Sequence, residues 1–126
     1  MIVGTGIDIV EISRFKKAKE KWGRSFLNKI FTKNEVDYSK KRRFQDQHFA
    51  ARFAAKEAVM KALGTGWTGG VAWQDICISH TEAGQPMVTL SGKTLEFAKT
   101  MGVEKIHLTI SHCNSYAIAF TVFEGK

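Results

Sequence analysis

Two carboxylates in this chain occupy positions where apolar side chains are expected. Glu57 lies in QHFAARFAAKEAVMKAL (residues 47–63), whose spacing predicts a helix. At 100° per residue, Phe49, Ala50, Phe53, Ala54 and Met60 fall on one stripe with Glu57 at its centre. Asp8 interrupts the apolar strand pattern MIVGTGIDIV, where Asp is disfavoured, and shares a strand face with Gly4 and Gly6. Those glycines leave room for a helix backbone or a ligand to come close. Burying an unpaired charge costs several kcal/mol, roughly, and two buried carboxylates repel unless a cation lies between them. A small set of oxygen ligands favours Mg²⁺, which keeps several waters and often completes its shell with phosphates. The competing reading makes Glu57 and Lys61 a surface i,i+4 pair and Asp8 a cap for the next segment. The place of Glu57 on the helical wheel argues against it.

Other constellations are weaker. Gly64-Thr65-Gly66 resembles a phosphate loop, but it follows a predicted helix C-terminus, where the dipole repels anions. Cys77-x-x-His80 and His107…His112-Cys113 have zinc ligand types. Strand alternation, however, sends Cys77 and His80 to opposite faces, and likewise His112 and Cys113. Ser111-His112, ending a predicted strand, can donate to a phosphate or form a polar cluster at a hairpin. Trp22, Trp67 and Trp73 are read as core or interface residues.

The elements that must position these groups follow from periodicity and punctuation. A strand is predicted over 2–10, and Ser13 is the expected N-cap of a basic helix to about Lys21. A short helix follows over 25–31. Thr32 with Glu35 is a capping-box signature for a helix to about Ser39. The basic run Lys40-Lys41-Arg42-Arg43 leads into the long helix, 45–63, closed by Gly64. Strands are predicted at 73–80 and 86–90, a helix at 92–101, and a hairpin from 105–111 and 116–124. This order predicts a single-domain α+β fold, with a small, largely antiparallel sheet packed on a long helix and shorter helices.

A chain of 126 residues, 44% hydrophobic and 25% charged, reads as one soluble globular domain. No uncharged run suits a bilayer span, and the N-terminus lacks the basic region of a signal peptide. Two cysteines without an export signal predict free thiols and a cytoplasmic setting. The net charge of +7 is uneven: residues 1–63 hold 15 Lys+Arg against 7 Asp+Glu, and residues 64–126 hold 4 against 5. A basic N-terminal half implies an anionic partner. A nucleic-acid module would explain the charge but not two carboxylates on apolar faces, and it lacks the basic-aromatic interleaving of such modules. A purely structural subunit leaves Glu57 unexplained.

Four segments in order, GTGIDIVEISRF, FTKNEVDYS (31–39), RFAAKEAVMKALGTG (52–66) and ISHCNSYAIAF (110–120), closely resemble the short, single-repeat bacterial phosphopantetheinyl transferase family. Cys113 departs from the small hydroxylated residue more usual there. The resemblance implies that Asp8 and Glu57 hold Mg²⁺ on the pyrophosphate of coenzyme A, with Lys61 near the same phosphates. Phosphopantetheine would then pass to a serine of apo-acyl carrier protein, releasing adenosine 3′,5′-bisphosphate. Glu57, Asp8 or a water takes the serine proton. Arg52, Ser111 and His112 are implied contacts to coenzyme A phosphates, and Lys56 is a weaker candidate. The resemblance further implies a homotrimer with clefts between subunits, and no nucleic-acid or membrane partner. Arg14, Lys17 and Lys21 line one face of the first helix with Arg24 just beyond, and this basic stripe is expected to dock the acidic carrier protein.

Overall fold

The computed structural model describes residues 1–64 and 70–126. The predicted turn beyond Gly64, and Trp67, lie outside the described residues. The chain runs β1 (Ile2–Glu11), α1 (Ile12–Ile30), α2 (Lys33–Lys40), α3 (Gln45–Leu63), β2 (Ile76–His80), β3 (Pro86–Leu90), α4 (Gly92–Thr100), β4 (Val103–His112) and β5 (Tyr116–Gly125). β1, β5 and β4 form one antiparallel sheet in that order, and β2 pairs with β3 in a second. The α+β expectation holds, with the strands divided between two sheets.

Local chemistry explains most boundaries. The capping box forms as predicted, with Thr32 Oγ1 accepting from Glu35 N and Glu35 Oε1 accepting from Thr32 N. Gly64 closes α3 at φ 81°, the left-handed region that glycine enters without steric cost. Gly23, at φ 62°, breaks α1 in two, which accounts for the two separate helices read from the sequence. Ser13, however, is not the N-cap. Glu11 holds that position, and the Ser13 hydroxyl donates to the Glu11 carboxylate. Trp73–Asp75 form a 3₁₀ turn, so β2 starts three residues later than expected.

α3 lies across the inner face of the β1-β5-β4 sheet. Gly4 and Gly6 permit this approach, since a Cβ at Gly4 would stand 2.6 Å from the Ala62 carbonyl oxygen and one at Gly6 would overlap that of Ala58. The register pairs Asp8 with Ala119, so Asp8 also faces inward. Two apolar clusters grip α3: Val59, Met60 and Leu63 with Ile76, Leu108 and Phe123, and Phe49 with Phe15, Leu27 and Phe31. The helix is therefore buried round most of its circumference, and the partly open line along it is Phe53, Glu57 and Lys61. Glu57 marks an opening in the apolar surround rather than its centre. Among the described residues the outer face of the sheet is uncovered: Ile7, Ile9 and Phe120 are 58%, 59% and 41% exposed.

Candidate functional site

Glu57 immediately precedes Ala58, whose carbonyl rests on Gly6, and Asp8 is the next inward residue of β1. Helix and strand thus deliver both carboxylates to one cleft of about 470 Å³. Burial pushes the Glu57 carboxyl up, the neighbouring Asp8 charge adds to that, and Lys61 acts in the opposite direction. Lys61 does not pair along its own helix. Its Nζ crosses to β1 and donates to the Ile7 carbonyl at 2.9 Å and the Asp8 carboxylate at 3.1 Å. Neither part of the surface-pair reading survives, because Lys61 turns to Asp8 and Asp8 caps no helix among the described residues.

The donor set suits a hard cation. Among the described residues no group of three or more His, Cys, Asp and Glu side chains could enclose a metal. Two carboxylates with waters and ligand phosphates are the usual Mg²⁺ arrangement, and their mutual repulsion is registered at Glu57.

The same cleft is walled by Phe15, Phe26 and Phe53 and flanked by Arg14. Arg14 therefore stands beside the carboxylates, whereas Lys17, Lys21 and Arg24 are exposed along and just beyond the first half of α1. Lys21 Nζ lies 5.0 Å from the Trp22 ring centroid, and Trp22 is 60% exposed, outside the core. Trp73, by contrast, packs against both cores and stacks on Phe53.

The remaining predicted phosphate contacts separate. Arg52 points away from the carboxylate cleft and is buried, with Nη1 donating to the His48 carbonyl at 3.2 Å and Nη2 lying 3.1 Å from His80 Nδ1. Its Nε–H is buried without a partner. The Tyr38 ring lies between guanidiniums, with Arg42 Cζ at 4.0 Å and Arg52 Cζ at 4.1 Å from its centroid. Among the described residues neither arginine forms an ion pair with a carboxylate. His112 is near enough to His48 to act on its charge. Strand alternation places Ser111, opposite Ile118, on the outer sheet face, and His112, opposite Ala117, on the inner one. Cys113 is exposed in the turn, its backbone bonded to Tyr116 and Gln47.

Sequence reasoning missed two features here. His48, His80 and Tyr38 come together from three elements with Arg42 from the turn after α2, and only the basic run at 40–43 hinted at them. Glu35 serves the capping box and also forms a fully buried ion pair with Lys56 at 2.6 Å. Lys56 Nζ donates further to the Ile30 and Trp73 carbonyls, while Glu35 Oε2 accepts from Ile78 N at 2.7 Å. Lys56 is thus committed to the interior, facing neither the cleft nor solvent.

Residues 4–121 match the family model of the 4′-phosphopantetheinyl transferase superfamily. The chain belongs to this superfamily. It is 45% identical over 126 residues to the holo-[acyl-carrier-protein] synthase of Vibrio cholerae, covering the whole of both chains. The fold is similar to the crystal structure of the Neisseria meningitidis synthase, with a TM-score of 0.91, 33% identity, and 98% and 99% of the two chains covered. It also resembles the Helicobacter pylori synthase in complex with coenzyme A, with a TM-score of 0.84, 32% identity, and 95% and 99% covered. In this phosphopantetheinyl transferase chain, no helix among the described residues is long and apolar enough to cross a membrane.

Proposed function

We propose that this phosphopantetheinyl transferase moves phosphopantetheine from coenzyme A to a serine of apo-acyl carrier protein, with Mg²⁺ held by Asp8 and Glu57. The observation that carries the reading is the convergence of two carboxylates from β1 and α3 on one cleft, where burial and mutual charge already raise the proton affinity of Glu57. Bound there, Mg²⁺ would neutralise and polarise the phosphate under attack. The rest of the chemistry is positioning, since the nucleophile belongs to the carrier protein. Lys61, exposed at the rim and reaching Asp8, offsets the charge that leaves with adenosine 3′,5′-bisphosphate. Arg14 adds a cation beside the carboxylates. Arg52 and His112, on a separate cationic cluster, are suited to another phosphate of coenzyme A, and Ser111 reaches the ligand only from the outer sheet face.

The exposed Ile7, Ile9, Ile118 and Phe120 support a homotrimer closed through the outer sheet face, which would bring Ser111 to a neighbouring subunit. The exposed Lys17 and Lys21, with Arg24, support docking of an acidic carrier protein on α1. Two free cysteines accord with a cytoplasmic setting. The test is intact-mass analysis of apo-acyl carrier protein incubated with this protein, coenzyme A and Mg²⁺. A gain equal to one phosphopantetheine is expected, and an unchanged carrier mass overturns the assignment.

A further inference from the structure

The Arg52 side chain poses a problem that packing alone does not solve. Its guanidinium has five N–H donors and is always charged, yet the groups around it are mostly cationic or neutral. Arg42 approaches through the shared Tyr38 ring, His48 lies one turn back on α3, and His80 faces it from β2. Across the second sheet His80 is paired with Pro86, which carries no titratable group. The carboxylate that acts on Arg52, Glu35, is committed to Lys56. A buried cation with one N–H left without a partner is suited to an anion brought from outside.

A guanidinium can only donate. His80 Nδ1, 3.1 Å from Arg52 Nη2, is therefore the acceptor, and the imidazole is neutral with its proton on Nε2. The ring is held in that orientation by stacking on Tyr38, with centroids 5.3 Å apart and planes 10° from parallel. Tyr38 also forms the floor under the guanidinium. One face and one edge of Arg52 are thus fixed by α2 and β2, elements that contribute nothing to the Asp8–Glu57 cleft.

We propose that His80 and Tyr38 are positioning residues that hold the Arg52 guanidinium for a phosphate of coenzyme A, and that protonation of His80 releases it. The proposal rests on the reading that Arg52 meets coenzyme A. Protonated His80 has a donor where Arg52 needs an acceptor, and it sets a second positive charge against Arg52 and Arg42. Burial first, then Arg52 and Arg42, hold the His80 pKa below the ordinary histidine value. The contact is intact at and above neutral pH and is lost as pH falls through that depressed pKa.

The experiment measures coenzyme A binding by titration calorimetry, and KM and kcat separately, between pH 5 and 8.5 for the wild type, His80→Leu, His80→Asn and Arg52→Met. Asn offers its side-chain oxygen near the place of Nδ1 and accepts at every pH, whereas Leu does not accept. Circular dichroism melts establish that each variant is folded. His80→Leu is expected to weaken coenzyme A binding about tenfold at pH 8, with kcat little changed. His80→Asn is expected to recover most of that affinity and to flatten the acid limb seen in the wild type. If Arg52→Met binds coenzyme A as the wild type does, Arg52 does not meet the ligand and the underlying reading is wrong. If Arg52→Met weakens binding but His80→Leu does not, Arg52 acts without His80 and the positioning role is overturned. An acid limb that persists in His80→Asn assigns the pH dependence to His48 or His112 and removes the switch.

Discussion

Lys61 reaches from α3 to the Asp8 carboxylate on β1 at 3.1 Å, while Glu57, one turn back on its own helix, has its pKa raised by burial first and then by the Asp8 charge. The raised pKa of Glu57 gives the sign of a pH effect. A carboxyl whose folded pKa is raised stabilises the fold below its unfolded pKa, and that contribution is lost as pH rises through the folded value. The metal-free wild type should therefore melt at lower temperature at pH 7 than near pH 5 by more than Glu57→Gln does, and thermal melts across that range check it. Asp8→Asn and Glu57→Gln are each expected to stay folded and to lose transfer activity. Near-normal transfer by either variant at saturating Mg²⁺ would contradict the shared-metal site.

The contact between Gly6 and the Ala58 carbonyl sets the distance between the two carboxylate-bearing elements. Gly6→Ala forces β1 and α3 apart and should destabilise the protein by ~1–3 kcal/mol, as overpacking usually does. Because Asp8 and Glu57 flank that contact, transfer activity should fall in the fraction that remains folded. Denaturant titration and activity of the same preparation separate the two effects. A fully active, equally stable variant would show that the backbone approach is not needed.

Carrier docking should separate from coenzyme A use along α1. Lys17→Glu with Lys21→Glu changes exposed charges outside the cleft, so kcat/KM for carrier protein should drop roughly 10–100-fold at low ionic strength and recover as salt screens the interaction. The KM for coenzyme A should hold. Arg14→Glu, beside the carboxylates, is expected to impair both substrates. Equal losses for both substrates in the Lys17/Lys21 variant place the docking surface elsewhere.

The proposed trimer would close through the uncovered sheet face. Ile9→Lys with Phe120→Asp puts charge on neighbouring strands of that face and should convert the protein to a monomer with much reduced activity. Multi-angle light scattering reads the mass directly. A stable, fully active monomer for the unmodified chain removes the trimer from the proposal.

The capping box and the glycine stop of α3 were legible because each is a local device with a short sequence signature. Asp8 and Glu57 stood out as charges against an apolar pattern, and the fold brings them together through the two glycines that share the Asp8 face. What the sequence concealed is long-range pairing. Glu35 looks like an ordinary capping residue until its carboxylate is seen on Lys56 and Ile78 N, 21 and 43 positions away. The wheel placed Glu57 at the centre of a buried stripe because it cannot register how many partners surround a helix. α3 is covered on nearly every side, and the relevant signal became the narrow line left open. His80 and Tyr38 belong to separate elements with no shared period, and so no spacing rule linked them to Arg52.

The enclosure of α3 has a consequence for how motion is distributed. Its amides should exchange with deuterated solvent only through opening of the whole fold, because both apolar clusters and both sheets must part first. α1 is interrupted at Gly23 and covered on one side, so it should exchange through local opening at much lower free energy. On that expectation the carboxylate of Glu57 is carried by strongly protected backbone, while the basic surface of α1 rides on backbone that yields more readily. A partner could then be met by a compliant helix without disturbing the frame of the Asp8–Glu57 cleft.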